Sequence, residues 1–270
     1  MAYVTKITVQ KKLKDRYNIF LDKGNGEEYA FSVDEGTMIQ FGLRKGKELD
    51  ELDIIEIQYG DDVRKAYNSA INYLSFRMRT KGEVRTHLLQ KEFSEQIAQE
   101  VILQLEEHNY VDDAEFAEAY VRTQWNTNGK GPDLIRQELF QKGVGPGDAD
   151  RALSNYPEEA QTEEALKHIE KEIRKNKRES TSQLKQKLEQ SLMRKGFPYS
   201  IIAAAIQSVE YEKSPDAEME ALVQQAEKAK RRYKDEDDFT YRMKMKQFLY
   251  RKGFPLNLIE AYLQEEAEMD

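Results

Sequence analysis

The sequence contains no cysteine, which excludes disulfide bonds and metal sites built from thiolates. Proline and glycine are also scarce, with six and fourteen among 270 residues. No apolar run approaches the ~18 residues that a membrane-spanning helix needs, and the N-terminus lacks the apolar core of a signal peptide. We therefore expect a soluble, cytoplasmic protein.

Positive charge is in short supply as well. The 42 lysines and arginines are outnumbered by 50 aspartates and glutamates, which gives a net charge of −8 and a pI of about 5.3. A protein whose main task is to coat bare nucleic acid usually presents a basic face. The charge balance argues against that function, although a negative net charge does not exclude a local basic stripe on the surface.

Motifs of the common enzyme classes are missing from the sequence. Residues 127–132 contain a Gly-Lys pair, but they lack the glycine spacing, the following Ser or Thr and the preceding strand of a P-loop. The histidines are scattered without the spacing of metal ligands, at His87, His108 and His168. We therefore expect no enzymatic activity, no cofactor and no metal site.

What the sequence does have is a short block that occurs four times. It reads Leu-Met-Arg-Lys-Gly-Phe-Pro at 192–198 and Leu-Tyr-Arg-Lys-Gly-Phe-Pro at 249–255, with looser copies at 139–144 and 88–93. Successive lysines of the block are 51, 53 and 57 residues apart, at Lys91, Lys142, Lys195 and Lys252. Self-similarity at a nearly constant period is typical of repeat arrays.

Each position of the block has a physical role at a helix corner. The leucine ends the apolar stripe of a helix, and the lysine lies in the last turn, where a cation suits the negative end of the helix dipole. The glycine adopts the left-handed conformation that stops the helix, and Pro198 and Pro255 fit the first turn of the next helix. Glu92 replaces the glycine in the first copy, which leaves the geometry of that corner open. Apolar residues also recur seven positions before and eleven positions after each lysine, at Val84, Ile135, Leu188 and Met245 and at Ile102, Leu153, Ile206 and Leu263.

These features predict a mainly α-helical fold: an elongated array of tandem three-helix repeats, preceded by a small three-stranded β unit with short helices. Three short helices bury little apolar surface alone, so neighbouring repeats must stack. The predicted domains are one N-terminal unit and four repeats, at residues 1–60, 61–110, 111–156, 157–212 and 213–270.

The N-terminal unit shows the alternation of β-strands. The three strands are predicted at 4–10, 16–22 and 27–33. A hairpin turn at 23–26 joins the last two, and a short helix over 34–42 covers the sheet. Residues 48–58 fit either a helix or a strand, and we favour a helix.

Acidic residues mark several expected helix starts. The pairs Asp61-Asp62 and Asp112-Asp113 could be catalytic carboxylates, but N-caps at the positive end of a helix explain them better. The first helices of the last two repeats, at about 158–177 and 216–234, are long and very polar. We expect these two helices to stand partly clear of the array.

Basic residues gather in the loop between the first and second helix of each repeat. Stacking would bring these loops towards one edge as a basic stripe, whereas the alternative is that they are ordinary solvated helix ends. A phosphate contact by Lys130 and the helix that follows it also remains possible. The residues are Arg77, Arg79, Lys81 and Arg85; Lys130 and Arg136; Arg174, Lys175, Lys177 and Arg178; and Lys228, Lys230, Arg231, Arg232 and Lys234.

Three motifs, taken in order, resemble those of the RecX family. The first opens that family's first repeat, the second starts its second repeat, and the third is its second-helix signature. They are Tyr-Leu-Ser-Phe-Arg-Met-Arg-Thr at 73–80 with Glu83-Val84, Tyr-Val-Asp-Asp at 110–113 with Phe116-Ala117, and Gly-Lys-Gly-Pro at 129–132 with Ile135, Leu139 and Lys142-Gly143. The N-terminal sheet and the four repeats are similar to the longer members from Gram-positive bacteria.

The resemblance implies a regulator of the RecA recombinase. Such a protein binds the RecA filament on single-stranded DNA and modulates its assembly, ATP hydrolysis and strand exchange, in general by inhibiting them. It therefore acts in homologous recombination, DNA repair and the SOS response. The sequence leaves open whether binding inhibits or assists the recombinase. Motif position and charge indicate candidates for binding the filament or its DNA: Arg77, Arg79, Lys81, Lys130, Lys142, Arg194 and Lys195. We expect the loop arginines among them to be exposed, and the protein to be a monomer.

A helical scaffold of the TPR or HEAT type that binds another protein is the competing interpretation, because its packing physics is the same. The period above 50 residues differs from the ~34 or ~40–47 of those two-helix repeats. This difference favours the RecX-like interpretation.

Overall fold

The computed structural model describes residues 1–11 and 14–269. These residues form a small β-sheet followed by a long succession of helices. They divide into two compact units, which we describe separately. Unit 1 comprises Met1–Phe116 and Lys142–Gly145, and unit 2 comprises Ala117–Gln141 and Pro146–Asp270.

The sheet of unit 1 has four antiparallel strands in the order β3-β2-β1-β4. Strands β1 (Ala2–Val9), β2 (Arg16–Asp22) and β3 (Glu27–Asp34) confirm the three predicted strands. The prediction of only three was wrong, because β4 (Glu48–Leu49) pairs with the start of β1. Two residues are too few to show the alternation by which a strand is recognised in a sequence.

One face of the sheet is buried against two helices. The short helix α1 (Glu35–Gln40) follows β3 directly, as expected, and Asp34 caps it by accepting a hydrogen bond from the Thr37 amide at 2.6 Å. The long helix α2 (Glu51–Leu74) supplies the second cover. The core between them contains Ile19, Leu21, Val33, Leu49 and Ile57, all at most 3% exposed.

Helix α2 corrects the prediction that a helix begins at Asp61-Asp62. It begins at Glu51, where Asp50 and Asp53 form a capping box, and it continues through both aspartates to Leu74. Asp61 lies in its middle and is only 2% exposed. Its carboxylate accepts hydrogen bonds from Arg16 at 2.7 Å and from the Asp34 amide at 2.8 Å, and Lys65 lies at 2.9 Å. Asp61 therefore joins the sheet to the first repeat and does not cap a helix.

The remaining helices follow one another in triplets, and α2 supplies the first member of the first triplet. The core of repeat 1 joins Val63, Ala66 and Ala70 of α2 to apolar residues of the two helices that follow. The further helices are α3 (Lys81–Gln90), α4 (Glu95–Glu107), α5 (Asp113–Asn128), α6 (Pro132–Gln141), α7 (Pro146–Leu153), α8 (Glu158–Lys175), α9 (Thr181–Arg194), α10 (Tyr199–Gln207), α11 (Pro215–Tyr233), α12 (Asp238–Arg251) and α13 (Leu256–Met269). The second aspartate pair behaves as expected, since Asp112 caps α5 through the amides of Ala114 and Glu115.

Helices α8 and α11 pack more closely than we predicted. Ala165 and Ile169 of α8 lie in the core of repeat 3, and Leu222 and Ala226 of α11 lie in the core of repeat 4, each at 0% exposure. Each helix buries one face along its whole length because its few apolar residues recur at helical spacing. The prediction that these helices stand partly clear was therefore wrong.

The periodic apolar positions are confirmed as core. The residues seven before each lysine are all 0% exposed, and those eleven after it are all 5% exposed.

The helix corners follow the expected geometry with two corrections. Lys91, Lys195 and Lys252 are C-caps, one position beyond the helix, and Pro198 is an N-cap that precedes α10.

Candidate interaction surface

Successive repeats are joined by one recurring hydrogen bond. The residue just before the second helix of a repeat donates to the carbonyl of the corner lysine in the next repeat. Thr80 Oγ1 donates to Lys142 O in unit 1; in unit 2, Gly131 N donates to Lys195 O at 2.8 Å and Ser180 Oγ donates to Lys252 O at 2.6 Å. Most of the predicted basic candidates lie around the first two of these junctions.

Arg77 at the first junction is held by a carboxylate. Its guanidinium donates to both oxygens of Glu83, at 2.9 and 3.1 Å, and Lys142 Nζ lies 3.3 Å from the same carboxylate. Burial alone would raise the pKa of Glu83, but the hydrogen bonds from Arg77 and the charge of Lys142 outweigh it and lower that pKa. Two of the predicted candidates thus neutralise one half-buried acid.

Arg79 is half-buried, so the prediction that both loop arginines are exposed was wrong for this one. Its guanidinium lies 4.1 Å from the centre of the Tyr73 ring, and that ring stacks on His87 at 4.1 Å. A guanidinium over an aromatic face is a favourable cation–π contact. Burial, followed by the charges of Lys91 and Arg79, lowers the pKa of His87.

Lys81 contacts acidic residues through both its side chain and its backbone. Its ammonium group lies 2.7 Å from Glu106, and its amide donates to Asp113 at 2.9 Å. Asp113 thereby satisfies a backbone donor in the first turn of α3, where helix amides have no partner within the helix.

The second junction, in unit 2, holds Lys130 and Lys195. Lys130 Nζ lies 2.6 Å from Glu138, whose other oxygen accepts from the Tyr120 hydroxyl at 2.9 Å. Lys195 Nζ donates to the carbonyls of Asn128 and Gly129, at 3.0 and 3.3 Å. Burial lowers the pKa of Lys195, and the nearby charges of Lys171 and Lys130 lower it further.

Arg194 differs from the other candidates. It lies in the last turn of α9, is exposed, and forms no ion pair with any residue in the described ranges. Its guanidinium is available to a partner without first breaking an internal contact.

The carboxylates that pair with these basic residues were missed by sequence reasoning. Arg77 and Glu83 are six residues apart, and Lys130 and Glu138 are eight apart. Such pairs join the loop between the first and second helix of a repeat to the second helix itself, whereas the spacing that reveals ion pairs in a sequence is three or four residues along one helix. Only knowledge of how these loops fold against the second helix could have identified them.

Neither metal chemistry nor a membrane span is indicated by the part of the chain that the structure describes. Within it, no group of three or more acidic or histidine side chains is arranged to hold a metal ion. No helix in the same ranges is both long and apolar enough to cross a bilayer.

A small antiparallel sheet followed by tandem three-helix repeats defines a helical-repeat protein. Four family models match the chain in order: the regulatory protein RecX N-terminal domain at 2–50, the RecX first three-helix domain at 66–105, the second at 112–153, and the third at both 158–206 and 216–263. The chain belongs to the RecX family of regulatory proteins.

Full-length relatives agree with this assignment. The chain is 51% identical to the regulatory protein RecX of Bacillus subtilis (strain 168) over 98% of this chain and 99% of that one. It is 50% identical to that of Bacillus velezensis over 98% and 100%. A crystal structure of a regulatory protein RecX superposes with a TM-score of 0.66 at 39% identity, covering 77% of this chain and all of that one. The crystal structure of RecX from Lactobacillus salivarius gives a TM-score of 0.52 at 38% identity, covering 55% and 96%.

Proposed function

We propose that this protein binds the RecA filament on single-stranded DNA and inhibits its assembly, its ATP hydrolysis and strand exchange. The match to RecX family models from residue 2 to residue 263 carries the proposal. The protein acts on the filament without enzymatic activity of its own. It works as a monomer in the cytoplasm, in homologous recombination, DNA repair and the SOS response.

The repeated architecture supports a filament as the target. A filament presents the same surface once per protomer, and this chain presents the same helix corner once per repeat. Several weak contacts that form together bind far more tightly than one. We keep the predicted boundaries 1–60, 61–110, 111–156, 157–212 and 213–270 as the proposed division into one N-terminal unit and four repeats.

The seven predicted basic residues remain candidates for the contact surface, and they differ in whether their charge is already paired within the chain. Arg194 is exposed and unpaired among the described residues, so its charge is directly available. Arg77, Lys81, Lys130 and Lys142 are already in ion pairs, so a contact by any of them must share or displace an internal partner. Side-chain reversal at these four positions would disturb the fold as well as binding.

The test is to add the protein to RecA assembled on single-stranded DNA and to follow ATP hydrolysis. We expect hydrolysis to fall as the protein is added, because filament subunits are lost or held inactive. The protein alone, incubated with ATP, is the control and should hydrolyse none. Unchanged RecA hydrolysis with the protein in excess, together with no binding to the filament, would refute the proposal.

A further inference from the structure

One position of the recurring block is apolar and exposed in every repeat. The first leucine of the block is fully buried in each copy, whereas the residue after it faces solvent. We refer to these second residues as the apolar row: Leu89, Phe140, Met193 and Tyr250, exposed by 37, 46, 63 and 59% respectively.

The exposure of the apolar row follows from helix geometry. Successive residues of a helix are rotated by about 100°, so a residue that follows a buried leucine in the last turn points away from the core. Single exposed apolar side chains are ordinary on protein surfaces. A large one at the same position of all four repeats is a pattern, since an exposed helix position does not require an apolar residue.

The junctions place the row residues equivalently. Each row residue lies two positions before a corner lysine, and the carbonyls of Lys142, Lys195 and Lys252 accept the hydrogen bond from the preceding repeat. Within unit 2 the same junction relates repeat 2 to repeat 3 and repeat 3 to repeat 4. Phe140, Met193 and Tyr250 are therefore related by a repeated step.

Charge beside the apolar row indicates the chemistry of the partner. Each row residue is followed by an exposed polar residue, which is glutamine in the first two repeats and Arg194 or Arg251 in the last two. Neither arginine forms an ion pair with another residue of the described ranges. On a chain of net charge −8, two uncompensated guanidinium groups next to apolar side chains complement an apolar surface edged by carboxylates.

At the fourth repeat the row opens into a groove of about 550 Å³. Tyr250 lines it together with Phe239, Met243 and Leu256, which are exposed by 74, 59 and 47%. Phe239 and Met243 are four residues apart on α12, so they lie on one face of that helix. A groove of this size accepts a large apolar side chain of a partner.

We propose that the members of the apolar row in unit 2, Phe140, Met193 and Tyr250, form a docking surface for a protein filament, with one contact per repeat. Its occupant is an apolar spot edged by carboxylates, presented by successive identical subunits. The inference rests on the proposed function and adds the surface that performs it. A protein is favoured over nucleic acid because Met193, in the middle of the three, has no ring on which a base could stack.

The test replaces the three row residues of unit 2 by glutamine, which is polar, of similar length and a good helix former. Binding of Phe140→Gln, Met193→Gln, Tyr250→Gln and the triple variant is measured on RecA filaments assembled on immobilised single-stranded DNA. We expect each single change to weaken binding about 5-fold and the triple change roughly 100-fold. The matched control carries Ile39→Gln, Leu52→Gln and Leu103→Gln, exposed by 70, 70 and 50% but outside the row, and should bind like the wild type.

The outcomes separate this inference from the proposed function. If the wild type does not bind the filament, the proposed function fails. If the wild type binds and the triple variant binds equally well, the apolar row is not the docking surface and only this inference fails. An equal loss of binding to bare DNA would identify a nucleic-acid surface, and a change in oligomeric state would identify a contact between copies; either result overturns the proposal. Should the triple variant fold poorly, Met193→Gln alone, at the most exposed row position, decides the question.

Discussion

Glu92 shows what the corner glycines are for. It has φ of 67°, close to the 85°, 81° and 78° of Gly143, Gly196 and Gly253. A non-glycine residue therefore adopts the left-handed corner here, at a cost of about 1–2 kcal/mol. In the part of the chain that the structure describes, no hydrogen bond from another repeat reaches Lys91 O. The first corner has no earlier repeat packed against it, and so it has room for a side chain.

The internal corners lack that room. A Cβ atom added to Gly196 would lie 2.3 Å from the backbone nitrogen of Leu134, whereas one added to Gly253 would lie 2.9 Å from the hydroxyl of Ser180. The first obstacle is rigid backbone, whereas the second is a hydroxyl that could move aside by giving up its hydrogen bonds to Lys252 O and to the Gln183 amide. Position 196 thus requires glycine for two reasons: the preceding repeat approaches closely, and the backbone has a positive φ.

We predict that Gly196→Ala destabilises the protein more than Gly253→Ala does. Both changes incur the left-handed strain of about 1–2 kcal/mol, and only the first also forces two backbones apart, which adds roughly 1–3 kcal/mol. Urea midpoints of the two variants, both in unit 2, measure the difference. Equal midpoints would show that the two backbones at this repeat junction can move apart without lowering the free energy of unfolding.

Two histidines predict how stability depends on pH. Burial lowers the pKa of His87 and of His168, and nearby lysines reinforce the shift in both cases. A histidine whose pKa is lower in the folded state binds more protons when unfolded, so its contribution to stability is present above the unfolded pKa of about 6.5 and is lost as the pH falls below it.

We therefore predict that the melting temperature falls as the pH is lowered from 7 to 5. The double variant His87→Gln, His168→Gln should show a smaller fall over this range, whatever its stability at pH 7. If the melting temperatures of the wild type and the double variant fall in parallel with pH, groups other than these two histidines cause the fall.

At the scale of elements, α2 is the piece that holds the N-terminal sheet to the repeats. Its capped start packs beneath the sheet, its end belongs to the first triplet, and Asp61 in its middle bonds to groups of β2 and β3. The Arg16–Asp61 pair is nearly dry, with side chains 13 and 2% exposed. Removing one partner of such a pair leaves the other buried and unpaired.

We predict that Asp61→Ala costs about 3–5 kcal/mol of stability. Asp62→Ala is the matched control, because Asp62 is adjacent but 49% exposed and forms a surface pair with Lys65; its cost should stay below about 1 kcal/mol. Denaturant unfolding followed by circular dichroism compares the two. Similar losses in both variants would mean that the buried carboxylate does not join the sheet to α2.

Helix α2 also shows which parts of the fold could be predicted from the sequence and which could not. Strands, corners and core positions followed from periodicity, because each is encoded by residues a few positions apart. The start of α2 did not, because Asp61 reads locally as a helix cap and only Arg16 and the Asp34 amide, 45 and 27 residues away, reveal it as a buried acid. The basic candidates were predicted from charge and motif position, but their partners Glu83, Glu106 and Glu138 depended on how the loops and helices of each repeat pack together.

At the scale of the whole molecule, two features decide between bare single-stranded DNA and a protein-coated strand as the target. The net charge disfavours bare DNA, whereas the apolar row favours the protein-coated strand. A charge of −8 repels phosphates at long range, and four of the seven predicted basic residues are already paired with carboxylates. Among these predicted contact residues, bare single-stranded DNA therefore finds few cations that are not already paired. A protein-coated strand offers apolar contacts whose strength does not depend on counterion release.

We predict that the protein prefers the RecA filament to bare DNA and that the preference grows with salt. Affinity for a bare strand held by about three phosphate contacts should fall roughly 20-fold between 50 and 200 mM salt, whereas affinity for the filament should fall less steeply. Binding is measured on both targets across this range, with filaments stabilised by a slowly hydrolysed ATP analogue and checked for integrity at each salt concentration. Equal affinity for bare and coated strands at physiological salt, or the same salt dependence on both, would show that phosphates, and not the filament's protein surface, are what this chain binds.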